Sequence, residues 1–122
     1  MEGPHNRPRV RGGPLLYELR VYEAVPGRLP ALHARFSDHT LRLFARHGIT
    51  PVGFWTTYIG PSNARLTYLL RWESLADREQ RWAAFMSDPE WMEVRAESER
   101  DGPLVIRVEN SILEPTPYSP TT

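Results

Sequence analysis

The order of strand-like and helix-like segments is the feature that most restricts the fold of this chain. Alternating or β-branched stretches predict strands within residues 15–27, 52–60, 65–72 and 103–113. Apolar residues with helical spacing lie between the first and second strands, and again between the third and fourth. The order strand, helix, strand, strand, helix, strand predicts an α+β domain of the ferredoxin-like βαββαβ type. In such a domain a four-stranded antiparallel sheet carries its helices on one face.

Residues with special backbone or capping properties predict where the helices begin and end. Pro30 lies in the first turn of the first helix, where its missing N–H is harmless, and Gly48 ends that helix. Ser74 is a predicted cap for a helix from about Leu75 to Met86. Asp88-Pro89 then starts a shorter helix. The buried stripe of the first helix is predicted to consist of Leu29, Leu32, Phe36, Thr40 and Leu43.

Charge and composition exclude several classes of function. The 15 basic and 15 acidic residues cancel, so nucleic acid and anionic membranes are not expected partners. The chain has no cysteine, which excludes disulfides, zinc thiolates and thiol nucleophiles. No apolar run is long enough to span a bilayer and no secretory signal precedes the domain, so we predict a cytoplasmic protein. Residues 1–14 are predicted to form a disordered lead and residues 15–120 the folded domain.

Counting in twos along the strands divides the predicted sheet into two faces. The helix-covered face is predicted to contain Leu66, Tyr68, Leu70, Leu104, Ile106 and Val108. The apolar residues of the first strand, Tyr17, Leu19 and Val21, are assigned to the same side. The opposite, uncovered face is predicted to contain Glu18, Arg20, Tyr22, Arg65, Thr67, Arg71, Arg107, Glu109 and Ser111. This second set faces either water, as in many antiparallel sheets, or a cavity.

Five separate blocks of the sequence resemble the NIPSNAP family, in the same order and at similar spacing. They are YELRVY, RHGITPVGFWTTYIGPSN, LLRWESLADRE, RWAAFMSDPEW and ENSILEPTPYSP, and the resemblance extends from about Leu15 to Pro120. It implies a dimeric α/β barrel, in which two ferredoxin-like subunits oppose their open sheet faces and keep a ligand-sized lumen beneath the helices. The partners it implies are a second copy of the chain and a small-molecule ligand.

Candidate site residues follow from that lumen and from the chemistry of the side chains. The candidate catalytic residues are His39, His47, Glu18 and Arg20, where a carboxylate orients an imidazole and an arginine holds an oxyanion. The resemblance supports the two histidines, because the family pattern usually has histidine at both positions. The candidate substrate-binding residues are Tyr22, Trp55, Tyr58, Glu109 and Arg107. For each of them a purely structural role is the alternative, as a helix-end cap, a core aromatic or an ion-pair partner.

Three classes of function remain open at this point. The first is a cofactor-independent tailoring enzyme, of the cyclase, isomerase or oxygenase type, that acts on an aromatic or polyketide-like substrate by acid/base chemistry. The second is a non-catalytic ligand-binding protein, and the third is a dimeric adaptor. We predict no metal and no cofactor, haem included, because the helix histidines are too far apart for a shared metal and no phosphate-binding glycine loop is present. The chain also lacks a GxSxG motif for acyl-enzyme chemistry.

Overall fold

Four strands form one antiparallel sheet in the computed structural model, which describes residues 15–120. The strands are β1 (Leu16–Ala24), β2 (Thr50–Thr56), β3 (Arg65–Trp72) and β4 (Val105–Leu113). Their order across the sheet is β2-β3-β1-β4, so β1 and β3 lie in the centre. The predicted α+β ferredoxin-like fold is therefore confirmed. The disordered lead predicted for residues 1–14 lies outside the described residues.

The helices follow in the predicted places. The first runs as α1 (Leu29–Arg35), a π turn (Phe36–Thr40) and α2 (Leu41–Arg46), and the second region divides into α3 (Leu75–Met86) and α4 (Pro89–Ser98). Within residues 15–120, none of these helices combines the length and the apolar character that crossing a bilayer requires. Their inner sides pack instead on one face of the sheet.

Short-range hydrogen bonds fix the helix ends where the sequence predicts them. The Oγ atom of Ser74 accepts a hydrogen bond from the backbone N–H of Asp77 at 3.0 Å, and a carboxylate oxygen of Asp88 accepts one from Glu90 N–H at 2.8 Å. Both caps satisfy donors that a helix start leaves unpaired. Gly48 follows α2 with a φ of 71°, a left-handed conformation that glycine adopts at little cost.

The core lies between the helices and the covered face of the sheet. Leu66, Tyr68, Leu70 and Leu104 are fully or almost fully buried there, as predicted. The helices contribute the buried residues Leu32, Phe36, Leu43, Phe44, Phe85 and Trp91. Trp72, at the end of β3, is also buried. The stripe predicted for the first helix is confirmed, with Thr40 as its one buried polar member.

The face predicted for the polar residues of β1 is wrong. In the register of the sheet Glu18 lies opposite Leu70, Arg20 opposite Tyr68 and Tyr22 opposite Leu66, and residues directly opposite share a face. Glu18, Arg20 and Tyr22 therefore point towards the helices. The alternation of the two sets is confirmed, but an alternating pattern does not say which of the two sets the helices cover. The polar set is the covered one because its members and α3 satisfy each other's charges and hydrogen bonds.

The uncovered face consequently carries the apolar set of β1. Val21 lies opposite Thr67 of β3 and Glu109 of β4, and Leu19 lies opposite Ser111. The positions predicted for β3 and β4 on this face are confirmed, namely Arg65, Thr67, Arg71, Arg107, Glu109 and Ser111. Apolar side chains of the central strand thus lie among charged ones on a face that no helix of the described chain covers.

Two predicted core residues of β4 are largely exposed. Ile106 is 62% and Val108 43% exposed, although Val108 lies on the covered side opposite Tyr22. Strand β4 is an edge strand, and a cavity opens between it and the helices. The two side chains border that opening, which is why the helices do not bury them.

Candidate functional site

Glu18 is fully buried and accepts five side-chain hydrogen bonds. Arg78 of α3 donates two of them, from Nε at 2.7 Å and from Nη2 at 3.0 Å. Arg20 donates at 2.9 Å, Trp72 Nε1 at 3.0 Å and Asn110 Nδ2 at 2.8 Å. A buried carboxylate without partners would be very costly, so these donors from β1, β3, β4 and α3 make the burial possible.

The pKa of Glu18 reflects this competition between burial and hydrogen bonding. Burial, the largest single influence, acts to raise the pKa, because it disfavours the charged form. The hydrogen bonds from Arg78, Asn110 and Arg20, with the charge of Arg20, together outweigh burial and lower the pKa to about 2. The residue is thus an anion at neutral pH and a poor proton acceptor. This argues against the predicted acid/base role of Glu18.

Arg20 connects this carboxylate to a pair of tyrosine hydroxyls. Its Nε donates to the hydroxyl of Tyr68 at 2.8 Å and its Nη2 to the hydroxyl of Tyr22 at 3.2 Å. The two hydroxyls lie 2.9 Å apart and share a hydrogen bond. The guanidinium also lies over the ring of Trp82, 4.6 Å from its centroid, which holds its plane by a cation–π contact. Arg20 is therefore fixed in position from several sides.

Donors remain unused in this group. A guanidinium has five N–H groups, and Arg20 directs three hydrogen bonds to partners within residues 15–120. Both tyrosine oxygens accept from Arg20, and one hydroxyl proton is used between the two, so one phenolic proton is left over. Burial and the neighbouring Tyr22 keep the pKa of Tyr68 well above its usual range, so Tyr68 stays a neutral donor. The Arg20–Tyr22–Tyr68 group, defined by these three residues, can therefore donate to one further oxygen atom.

A cavity of about 390 Å³ lies beside this group. It is bounded by the first helix, α3, α4 and strand β4. Arg20 and Tyr22 are part of its wall. The rest of the wall includes five aromatic rings, those of Phe36, Phe44, Trp82, Phe85 and Trp91, together with aliphatic and charged residues. A mostly apolar wall with a few converging polar groups is typical of small-molecule sites, and the volume falls in their usual range.

The π turn in the first helix contributes to this wall. The N–H of Leu41 bonds to the carbonyl of Phe36, five residues back, and Thr40 Oγ1 donates to the carbonyl of Arg35 at 3.2 Å. Phe36 and Thr40, the first and last residues of the turn, both line the cavity. Turns of this kind are rare in proteins, and many of those that exist lie at functional sites.

The two predicted catalytic histidines do not line this cavity. His39 lies in a surface groove between the first helix and α4, where its Nδ1 accepts from Arg42 Nη2 at 3.2 Å. His47 Nε2 lies 2.7 Å from a carboxylate oxygen of Asp88, and this hydrogen bond is the largest reason that the pKa of Asp88 falls to about 2. His47 thus joins the end of α2 to the start of α4. Both histidines thus occupy positions that fit a purely structural role, which was the alternative to a catalytic one.

The remaining predicted binding residues lie apart from the Arg20–Tyr22–Tyr68 group. Trp55 is 53% exposed on the uncovered face, opposite Thr67, and Tyr58 is almost fully exposed after the end of β2. Arg107 Nε and Glu109 Oε2 form an ion pair at 3.2 Å on that same face. Of these residues only Arg107 also borders the cavity. Within residues 15–120, no group of three or more His, Asp and Glu side chains is placed to hold a metal ion.

Sequence reasoning missed the residues that complete the site. The sequence predicts Tyr68 as a core residue, and the strand and helix patterns predict no role for Arg78. A signal for Arg78 existed, since Arg78, Trp82 and Phe85 follow the i, i+4, i+7 spacing of one helix face. An arginine on the inner stripe of a helix needs a buried anion, and Glu18 is the carboxylate it meets. No comparable signal distinguishes Asn110 from other strand residues.

Comparison with known proteins agrees with this ferredoxin-like α+β architecture. The NIPSNAP family pattern matches residues 17–120. A search among curated proteins gave no match. The chain belongs to the NIPSNAP family, as the sequence blocks suggested.

Several solved structures are similar to this chain over most of its length. A NIPSNAP family protein of unknown function from Agrobacterium tumefaciens is 31% identical, with a TM-score of 0.78, over 89% of this chain and 95% of that one. An uncharacterized NIPSNAP-like domain protein from Burkholderia xenovorans is 29% identical, with a TM-score of 0.77, over 87% and 89% of the two chains. A second NIPSNAP family protein from A. tumefaciens, 24% identical with a TM-score of 0.79 over 88% and 99% of the chains, supports the fold.

The first prediction concerns Glu18→Gln, which leaves Arg20 and Arg78 without their shared anion. We expect the free energy of unfolding at neutral pH to fall by about 3 to 5 kcal/mol, because one partner of a buried ion pair is removed. The folded-state pKa, about 2, lies below the value of 4.5 for a free glutamate, so the stabilisation is complete above pH 4.5 and is lost as the pH falls towards 2. The stability difference between the wild type and the variant should shrink in that window. Urea unfolding from pH 7 to pH 2 measures it, and a difference independent of pH contradicts the prediction.

Proposed function

We propose that this protein binds a small aromatic or polyketide-like molecule in the cavity between its sheet and helices. The observation that carries the proposal is the unused hydrogen-bond capacity of Arg20 and Tyr22 beside the aromatic rings of the cavity wall. A ligand oxygen, such as a carbonyl or an enolate, fits these donors because a cation and a phenol both favour an electron-rich acceptor. The rings of Phe36, Trp82 and Trp91 provide apolar surface for the body of the ligand.

A cofactor-independent tailoring reaction, of the cyclase, isomerase or oxygenase type, is the second candidate. One observation favours it, since a fixed cation beside a phenolic donor is also the arrangement that stabilises a developing oxyanion. A proton-abstracting base is harder to find. Glu18 is held as an anion of very low pKa, and among the described residues of the cavity wall the carboxylate of Glu99 is already paired with Arg35 and Arg95. Binding is therefore the function that the geometry supports best.

We also propose that the protein acts as a homodimer through the uncovered face of its sheet. The apolar side chains that this face leaves accessible are Leu19, Val21, Leu69 and Trp55, whereas Tyr17 on the same face is only 5% exposed. Two ion pairs, Glu23–Arg65 and Arg107–Glu109, border them. A second copy would remove this apolar surface from water and leave the charged residues at the rim, the usual arrangement of an interface.

Menadione tests the proposed ligand class, because it is an aromatic quinone with two acceptor oxygens. The chain contains no cysteine with which the quinone could react. We expect saturable quenching of tryptophan fluorescence, since Trp82 and Trp91 line the cavity. In Tyr22→Phe the ring stays and the hydroxyl is lost, so the binding free energy should weaken by about 0.5 to 1.5 kcal/mol.

Tyr118→Phe is the matched control for that experiment, because Tyr118 is 85% exposed in the C-terminal segment and is absent from the cavity wall. Its affinity for menadione should equal that of the wild type. Equal affinities of all three proteins would contradict the role given to Tyr22. Absence of any saturable binding to the wild type would contradict the proposed ligand class and favour the adaptor.

The dimer proposal predicts the effect of a charge on the uncovered face. Light scattering after size exclusion should give twice the monomer mass for the wild type and the monomer mass for Val21→Arg, because the variant places a charge among the apolar side chains. Ala76→Arg, on an exposed position of α3, is the control and should remain dimeric. A monomeric wild type at tens of micromolar would refute the dimer.

A further inference from the structure

The cavity wall has a second polar region. The Arg20–Tyr22–Tyr68 group lies on strands, whereas helices supply the residues of this second region. Arg35 at the end of α1 and Arg95 and Glu99 at the end of α4 all line the cavity. Glu99 Oε2 lies 3.1 Å from Arg35 Nη1 and 3.8 Å from Arg95 Nε. One carboxylate therefore faces two guanidinium groups, and the wall carries an excess of positive charge.

The surroundings of these three residues do not cancel their excess of positive charge. The C-terminal end of α4 contributes roughly half a unit of negative charge through its carbonyl groups. Arg28 adds a further positive charge, since its Nη2 donates to the carbonyl of Ser98 at 3.4 Å. Among the described residues no second carboxylate is paired with Arg35.

Two buried donors in this region have no acceptor. Arg35 Nε and Trp91 Nε1 are without a hydrogen-bond partner within residues 15–120, and both residues are only 7% exposed. The guanidinium of Arg35 lies over the Trp91 ring, 5.3 Å from its centroid, so the two side chains are neighbours. A buried donor left unpaired costs about 1 to 3 kcal/mol, and native proteins contain few of them. Both side chains belong to the cavity wall, so an oxygen atom of a ligand in the cavity would lie beside them.

We propose that Arg35 and Trp91 form a carboxylate-binding subsite, so that the ligand of this cavity is an aromatic acid. The inference rests on the proposed function, because it uses the same cavity. The aromatic body lies between the two polar regions, with an oxygen at the Arg20–Tyr22–Tyr68 group and the carboxylate at Arg35. Arg35 supplies the charge and Trp91 a second donor. Glu99 occupies Nη1 of Arg35 at 3.1 Å, and Nε of Arg35 is the donor left for the ligand.

The matched probes 2-naphthoate and 2-naphthamide test this subsite. They share size and aromatic body and differ in charge. Isothermal titration at neutral pH should show that the wild type binds the carboxylate about tenfold more tightly than the amide, because hydrogen bonds to a charged group are the stronger ones. In Arg35→Gln this preference should disappear, while the affinities for naphthamide and menadione change less than twofold. Arg100→Gln is the control, since the Arg100 side chain is 70% exposed and paired with Glu97.

A second variant keeps the test decisive if Arg35→Gln is not folded. Trp91→Phe keeps an aromatic ring and removes the N–H, so the affinity for naphthoate should fall about threefold more than the affinity for naphthamide. Equal affinity of the wild type for the two probes overturns the subsite, and so does a preference for naphthoate that survives in both variants. Failure of the proposed function is distinguished by menadione, because a protein without a ligand cavity binds neither menadione nor the naphthalene probes.

Discussion

The burial of Glu18 as an anion is the constraint on which the rest of this site depends. A carboxylate at the centre of a sheet, beneath a helix, is stable only with enough donors, and here five hydrogen bonds reach it. Two of the donors, Arg20 and Arg78, are themselves charged, so the cluster keeps a net positive charge. Arg78 is partly exposed and meets water. Arg20 therefore shares the single negative charge of Glu18 with Arg78, and it lies on the wall of the cavity.

This arrangement explains why the two faces of the sheet have unexpected characters. Because the polar residues of β1 are paired beneath the helices, the apolar residues Leu19 and Val21 lie on the uncovered side. The same alternation thus produces both a polar end for the proposed ligand cavity and an apolar face for the proposed second copy. A purely apolar covered face would fill the core with side chains and offer a ligand no directional contact.

The sequence predicted the fold well and the site only in part. Element order, the caps at Ser74 and Asp88 and the helix end at Gly48 rest on local chemistry, and local chemistry is visible in a sequence. Which set of β1 side chains the helices cover depends on a tertiary contact between Glu18 and Arg78. These two residues are sixty positions apart in the sequence. Hydropathy favours the apolar set as core, and only pairing of the charges reverses that preference.

The histidines illustrate the other limit of sequence reasoning. His39 and His47 are chemically suited to proton transfer, but a helix turns each side chain by a fixed angle, and both turn away from the cavity. The candidate substrate-binding residues predicted from the sequence include Trp55, but neither Trp82 nor Trp91. Trp82 and Trp91 line the cavity while Trp55 lies on the uncovered face, because packing against distant elements decides the position of each.

The titration of the Glu18 carboxyl tests this account most directly. Carbon-13 NMR of protein labelled in its glutamate side chains, assigned with Glu18→Gln, follows that one group as the pH is lowered. The account predicts that Glu18 stays ionised far below the other glutamates, with a pKa of about 2. A pKa at or above the ordinary value of 4.5 would show a carboxyl that burial has neutralised, and would contradict the buried anion and the fixed Arg20 that depends on it.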